Sequence, residues 1–115
     1  MRYLLFCCFD EKRWDALPEP QRDAIMRDYG ALLERLHKSG HHLNTGKLQP
    51  TATATTIRSR NGKPVVSDGP FAETKEQVGG YHVIECRDLD EAIAIAKRIP
   101  TLPYGGAVEV RALES

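Results

Sequence analysis

Hydrophobic and polar positions alternate along the chain in blocks whose spacing changes from strand-like to helix-like and back. Tyr3 to Phe9 is a continuous apolar run, the pattern of a strand covered on both faces. Tyr3, Leu5, Cys7 and Phe9 form one row of that strand; Leu4, Phe6 and Cys8 form the other. From Gln21 to Lys38 the period becomes helical, with Ile25, Tyr29, Leu32, Leu33 and Leu36 on one stripe. Lys38 suits the negative end of that helix, and Gly40 supplies a left-handed stop.

His41 to Leu48 reads as a short strand. Thr51 to Arg60 is rich in threonine and favours a strand, Asn61-Gly62 signals a two-residue hairpin turn, and Lys63 to Ser67 returns. Asp68-Gly69-Pro70 ends the return strand, because proline lacks an amide donor. Phe71 to Val78 is polar, a loop or one helical turn, and Gly79-Gly80 leads into a strand over Tyr81 to Cys86. Asp88 and Glu91 have capping-box spacing at the head of a second helix through Ala92, Ile93, Ala96 and Ile99, which Pro100 stops. A last strand, Ala107 to Leu113, alternates apolar and charged residues. The order predicts an α+β fold, a ferredoxin-like β-α-β-β-α-β with an inserted β-hairpin, in a single domain over residues 1–115.

Two helices cover one face of a four-stranded sheet, yet the first strand is apolar on both. A second copy of the chain, packed sheet to sheet with two-fold symmetry, is the economical cover, so a homodimer is expected. The alternative cover is the inserted hairpin folded over the open face.

Composition narrows the function classes. Sixteen basic and sixteen acidic residues cancel, so charge gives no reason to expect nucleic acid or an anionic membrane as a partner. The apolar start is too short to span a bilayer. Cys7, Cys8 and Cys86 fit neither full pairing nor a metal-ligand spacing, which reads as reduced thiols in a cytoplasmic protein. No glycine-rich phosphate loop, nucleophile elbow or zinc signature occurs, so neither a cofactor nor a metal is expected.

Candidate chemistry concentrates in two places. In Asp68 to Gly80, Asp68 can act as a general base or orient a ligand, or it can shape the turn by accepting from backbone amides. Arg58 and Lys75 can hold an anionic group of a ligand. Phe71 either joins that ligand-binding set or plugs the core, and Glu73, Lys75 and Glu76 also read as a solvated face. The second place is the helix-facing side of the sheet. His82 shares a face with Ile84 and Cys86 and can serve as acid, base or ligand, or be a packed, hydrogen-bonded core histidine. Tyr29, on the buried stripe of the first helix, needs a hydroxyl partner and can face the same pocket, or be an ordinary core tyrosine.

The run Asp68-Gly69-Pro70-Phe71-Ala72-Glu73-Thr74-Lys75-Glu76-Gln77-Val78-Gly79-Gly80-Tyr81 closely resembles the signature of the DGPF-domain proteins, a branch of the YCII-related family. Ala54-Thr55-Thr56-Ile57-Arg58, Asp88-Leu89-Asp90-Glu91-Ala92, Arg98-Ile99-Pro100 and Gly106-Ala107-Val108-Glu109-Val110-Arg111 extend the likeness over nearly the whole chain. The resemblance implies a fold of the dimeric α+β barrel group and a regulatory association with extracytoplasmic-function sigma factors. It also implies kinship with more distant lyases or dehalogenases that use a His-Asp pair in a cleft. The position of that His is Tyr29 here and that of the Asp is about Ile99, so the pair itself is not kept.

Three functions follow as expectations. The first is a homodimeric small-molecule-binding domain with a regulatory role. The second is an enzyme of cofactor-free proton transfer, such as isomerisation or elimination, with His82 or Asp68 as base. The third is a protein-interaction module that modulates transcription. An open pocket on which His82, Tyr29 or Asp68 converge favours the first two.

Overall fold

The computed structural model describes residues 1–114. In chain order the elements are β1 (Arg2–Phe9), α1 (Glu11–Ala16), α2 (Glu19–Ser39), β2 (His42–Lys47), β3 (Thr55–Arg60), β4 (Lys63–Asp68), β5 (Gln77–Glu85), α3 (Leu89–Ala96) and β6 (Ala107–Ala112). Short 3-10 turns occupy Thr51–Thr53 and Leu102–Tyr104. The fold is mixed α+β. One antiparallel sheet has the order β2-β5-β1-β6, and β3 with β4 forms a separate two-stranded ribbon.

The sheet's two faces differ as the sequence rows require. Tyr3, Leu5 and Cys7 are buried under the helices, together with His82, Ile84 and Cys86 of β5. From above they meet Leu32 and Leu36 of α2, then Ala92, Ile95 and Ala96 of α3 and Ile99 just beyond it. Each large side chain fully enclosed in this layer contributes about 1.5–3 kcal/mol relative to exposure. The opposite row, Leu4, Phe6 and Cys8, stays half-exposed in the single chain, so the ribbon does not seal it. Tyr81 belongs to that open face and lies flat on Gly46, its partner on β2. A Cβ at Gly46 would stand 2.7 Å from the tyrosine ring.

Local chemistry fixes the ends of the elements. Gly40 closes α2 at φ 79°, the left-handed region that glycine enters without steric cost. Asp88 caps α3 by accepting the Glu91 amide at 2.9 Å. The Glu91 carboxylate reaches one residue further back than the capping box predicts, accepting from the Arg87 amide at 3.1 Å. Asn61 and Gly62 both take positive φ, 51° and 76°, as a two-residue hairpin turn demands.

Four features depart from the sequence pattern. Thr51–Thr53 is a 3-10 turn, so the strand expected over Thr51 to Arg60 starts at Thr55. α1 is a separate short helix, capped by the Asp10 carboxylate accepting from the Lys12 amide. The segment from Gln77 to Gly80 is strand rather than loop, so β5 starts earlier than its apolar run. Between Cys7 and Cys8 the β1–β5 register shifts, leaving Gly79 as an extra residue in a bulge. The radius of gyration, 16.0 Å, exceeds the roughly 13 Å of a compact 100-residue chain, in keeping with a ribbon whose residues are almost all exposed. No helix among the described residues is long and apolar enough to cross a membrane.

Candidate functional site

A cavity of about 610 Å³ opens between the sheet and the helices at the Phe9 end of β1. Its floor is the helix-facing side of the sheet. Cys7 and Phe9 come from β1, Gln77, Gly79, Gly80 and His82 from β5, and Thr45 with Lys47 from β2. The paired glycines leave the middle of the floor as bare backbone. Trp14 of α1 and Met26, Tyr29 and Leu33 of α2 form the walls, and Thr101 closes one end.

His82 is only 5% exposed, and its hydrogen bonding fixes its tautomer. Thr45 Oγ1 lies 3.0 Å from both the Tyr81 carbonyl oxygen and His82 Nδ1. A hydroxyl has one proton, and a carbonyl can only accept. Both contacts are satisfied when the threonine donates to Tyr81 and His82 Nδ1–H donates to the threonine. Nε2 then carries the lone pair. Among the described residues the one sealed side-chain nitrogen or oxygen without a partner is His42 Nδ1, so His82 Nε2, which has no protein partner, opens on the cavity. Burial, with nearby His42 assisting, pushes the His82 pKa below its ordinary value. At neutral pH the ring is therefore an uncharged base.

Tyr29 lies against that imidazole, ring centroids 6.0 Å apart and planes within 17°. Its hydroxyl is 3.4 Å from Thr101 Oγ1 and neighbours the Cys7 thiol. Burial, reinforced by that thiol, raises the Tyr29 pKa, so the phenol keeps its proton and can donate to a ligand. Cys7 is pushed up to about 11, chiefly by burial, against the opposing hydrogen bond from Tyr29. It remains a thiol rather than a nucleophilic thiolate.

The structure thus brings His82 and Tyr29 together and holds the other four candidate residues on or beside the ribbon. Asp68 ends β4 with its side chain exposed and is not part of the cavity lining. Phe71 is 68% exposed, so it plugs no core; Arg58 lies over its ring at 4.6 Å and donates to its carbonyl at 3.3 Å. Lys75 is exposed in the loop between β4 and β5. Ile99, 1% exposed, belongs to the core. Thr45, Trp14, Lys47 and Thr101 are site residues that sequence reasoning missed. Strand parity offered a signal for Thr45 and Lys47, which share the inward face of β2.

Burial of these imidazoles makes stability depend on pH. His42 lies against His37, ring centroids 4.0 Å apart and planes tilted by 39°, and burial, followed by the His37 charge, lowers its pKa as well. An unfolded chain takes protons at the ordinary histidine value of about 6.5, whereas folded His82 and His42 resist them. The unfolded state then binds more protons as pH falls through that value toward the lowered ones, and stability falls with it. The urea midpoint is expected to drop between pH 7.5 and 5.5, and to drop less steeply in His82→Gln. An unchanged slope in that variant rules out His82 as a source of the dependence.

Comparison with known proteins shows the family and a similar fold. Over 114 residues the chain is 38% identical to an uncharacterized protein of Rhizobium meliloti (strain 1021), spanning 98% of this chain and 92% of that one. Its fold is similar to that of the 5-chloro-2-hydroxyhydroquinone dehydrochlorinase of Burkholderia phenoliruptrix, solved in complex with 2,5-dihydroxybenzoquinone. The TM-score is 0.50 at 16% identity, over 99% of this chain and 94% of that one. The model of the YCII-related domain matches residues 1–114, and the chain belongs to that family.

Proposed function

We propose that the chain binds a small planar molecule in the cavity between sheet and helices and catalyses proton transfer on it, with His82 Nε2 as the base. The observation that carries this reading is the contact of His82 Nδ1 with the Thr45 hydroxyl, which leaves the lone pair on Nε2 beside an apolar cavity. Tyr29 is placed to donate a hydrogen bond to an oxygen where negative charge develops once the proton leaves. The chemistry needs only groups that the chain itself supplies. Where the resemblance puts a histidine on the helix, this chain has Tyr29 against the imidazole of His82, so the base comes from the strand instead. Asp68, Arg58, Phe71 and Lys75 can act on such a ligand only by way of the ribbon.

The working unit is a homodimer, half of it a ferredoxin-like β-α-β-β-α-β domain with the β3–β4 ribbon inserted, as in the dimeric α+β barrel group. The strand order and the half-exposed row of Leu4, Phe6 and Cys8 support this arrangement.

Calorimetric titration with 2,5-dihydroxybenzoquinone and chloride release from 5-chloro-2-hydroxyhydroquinone test the site. Native mass spectrometry of the same sample reports the subunit count. Saturable binding, chloride release and a mass twice the 12.9 kDa of one chain are expected. The absence of both binding and chloride release would sink the enzymatic reading, and a mass of one chain at micromolar concentration would sink the dimer.

A further inference from the structure

Lys47 is the one cationic residue of the cavity lining, and its setting says what the cavity accepts. It follows Thr45 by two positions on β2, so both side chains leave the same face of the strand, about 7 Å apart along it. Thr45 is the residue that orients His82, so Lys47 leaves the strand one pleat repeat along the same face from the residue that holds the base. Lys47 Nζ lies 5.7 Å from the centroid of the Trp14 ring, held to the cavity wall by cation–π attraction.

The two acidic groups in the same lining do not neutralise it. Glu11 is engaged elsewhere: its Oε1 accepts from the Thr51 amide at 2.8 Å and its Oε2 from the Thr51 hydroxyl at 2.9 Å. Asp15 is exposed on α1. Among the described residues neither carboxylate comes within ion-pair distance of Lys47; the paired cations are the N-terminus, Lys38, Arg87 and Arg111. The ammonium is exposed and faces an aromatic wall with no carboxylate paired to it, which leaves its charge available to an anion entering the cavity.

We propose that Lys47 is the anion receptor of this cavity and that its ligand is a planar ring compound carrying one carboxylate or phenolate group. The anion sits on Lys47 against Trp14, and the ring spans the glycine floor toward His82 Nε2. The inference rests on reading the cavity as the ligand site, and it adds the ligand's charge and the residue that selects for it. Recognition is electrostatic and takes no part in the proton transfer itself.

Trp14 is the single tryptophan of the chain, so its fluorescence reports the cavity directly. Titration of the full-length protein with benzoate and with the neutral isostere benzamide separates charge from ring. Benzoate is expected to bind at least tenfold more tightly than benzamide. Lys47→Met should collapse that preference to near unity, and Lys47→Arg should restore most of it. Because Lys47 is exposed, both variants are expected to keep the wild-type circular dichroism. Equal binding of the two rings to the wild type, or an intact benzoate preference in Lys47→Met, overturns the role of Lys47 while leaving the cavity as a ligand site. Failure of either ring to perturb Trp14 overturns both readings.

Discussion

His82→Gln is expected to lower proton-transfer turnover by about 100-fold or more, the range in which a positioned general base contributes. Glutamine preserves bulk and can donate to Thr45 Oγ1 in place of Nδ1–H, but it has no basic nitrogen to turn toward the cavity. Binding of 2,5-dihydroxybenzoquinone should therefore change only a few-fold, which places the loss in the chemical step. The pH profile gives an independent check. Because burial lowers the His82 pKa, the neutral imidazole persists below the ordinary histidine range, and the activity plateau should extend below about pH 6.5 before it falls. A variant that keeps full turnover removes His82 from the chemistry.

Leu5→Ala is expected to cost about 2–5 kcal/mol of unfolding free energy, read from urea denaturation at neutral pH. Leu5 is fully enclosed at the middle of β1, opposite His82 on β5 and Val110 on β6. Truncating it opens a void beneath the helices at the point where three strands meet, and neighbours tied into two ladders can relax only in part. A loss under about 1 kcal/mol means that the layer refills the void, and that the floor under His82 is softer than this packing implies.

Much of this was legible in the sequence because the largest energies follow the simplest periods. The stripe of α2, the two-sided apolar row of β1 and the Asn61-Gly62 turn are each written by steric or hydrophobic rules that act within a few residues. Tyr29 and His82 could be paired beforehand, since one sits on an inward helical stripe and the other on the inward face of a strand. What escaped was set by longer-range or subtler terms. α1 has six residues, too few to display a helical period, and it carries Trp14. β2, expected as a strand, reads His-Leu-Asn-Thr-Gly-Lys, with weak strand propensity and no apolar row to show its inward face; β5 supplies the pairing that fixes it. The strand over His41 to Leu48 was legible and its parity put Thr45 and Lys47 on one face, but without apolar alternation nothing said that this face turns inward. Conversely, Asp68 to Gly80 concentrates ionisable groups along the sequence, but Asp68 and Lys75 are exposed and only the final Gln77, Gly79 and Gly80 reach the cavity.

The register shift at Gly79 has a bearing on how this chain tolerates length variation. The bulge is what keeps Gln77 on the cavity side: were Gly79 to pair with Cys8 in a regular ladder, Phe9 would face Val78 and an isopropyl group would replace the amide at the cavity rim. Deleting Gly79 removes the bulge and leaves Phe9 opposite Gln77, so no side chain changes face. A deletion among 72–76, where the chain crosses in irregular bends, likewise reverses no side of any strand. Natural single-residue indels should accumulate at these two places and be purged from the regularly paired Tyr81 to Glu85, where one residue turns part of the strand over.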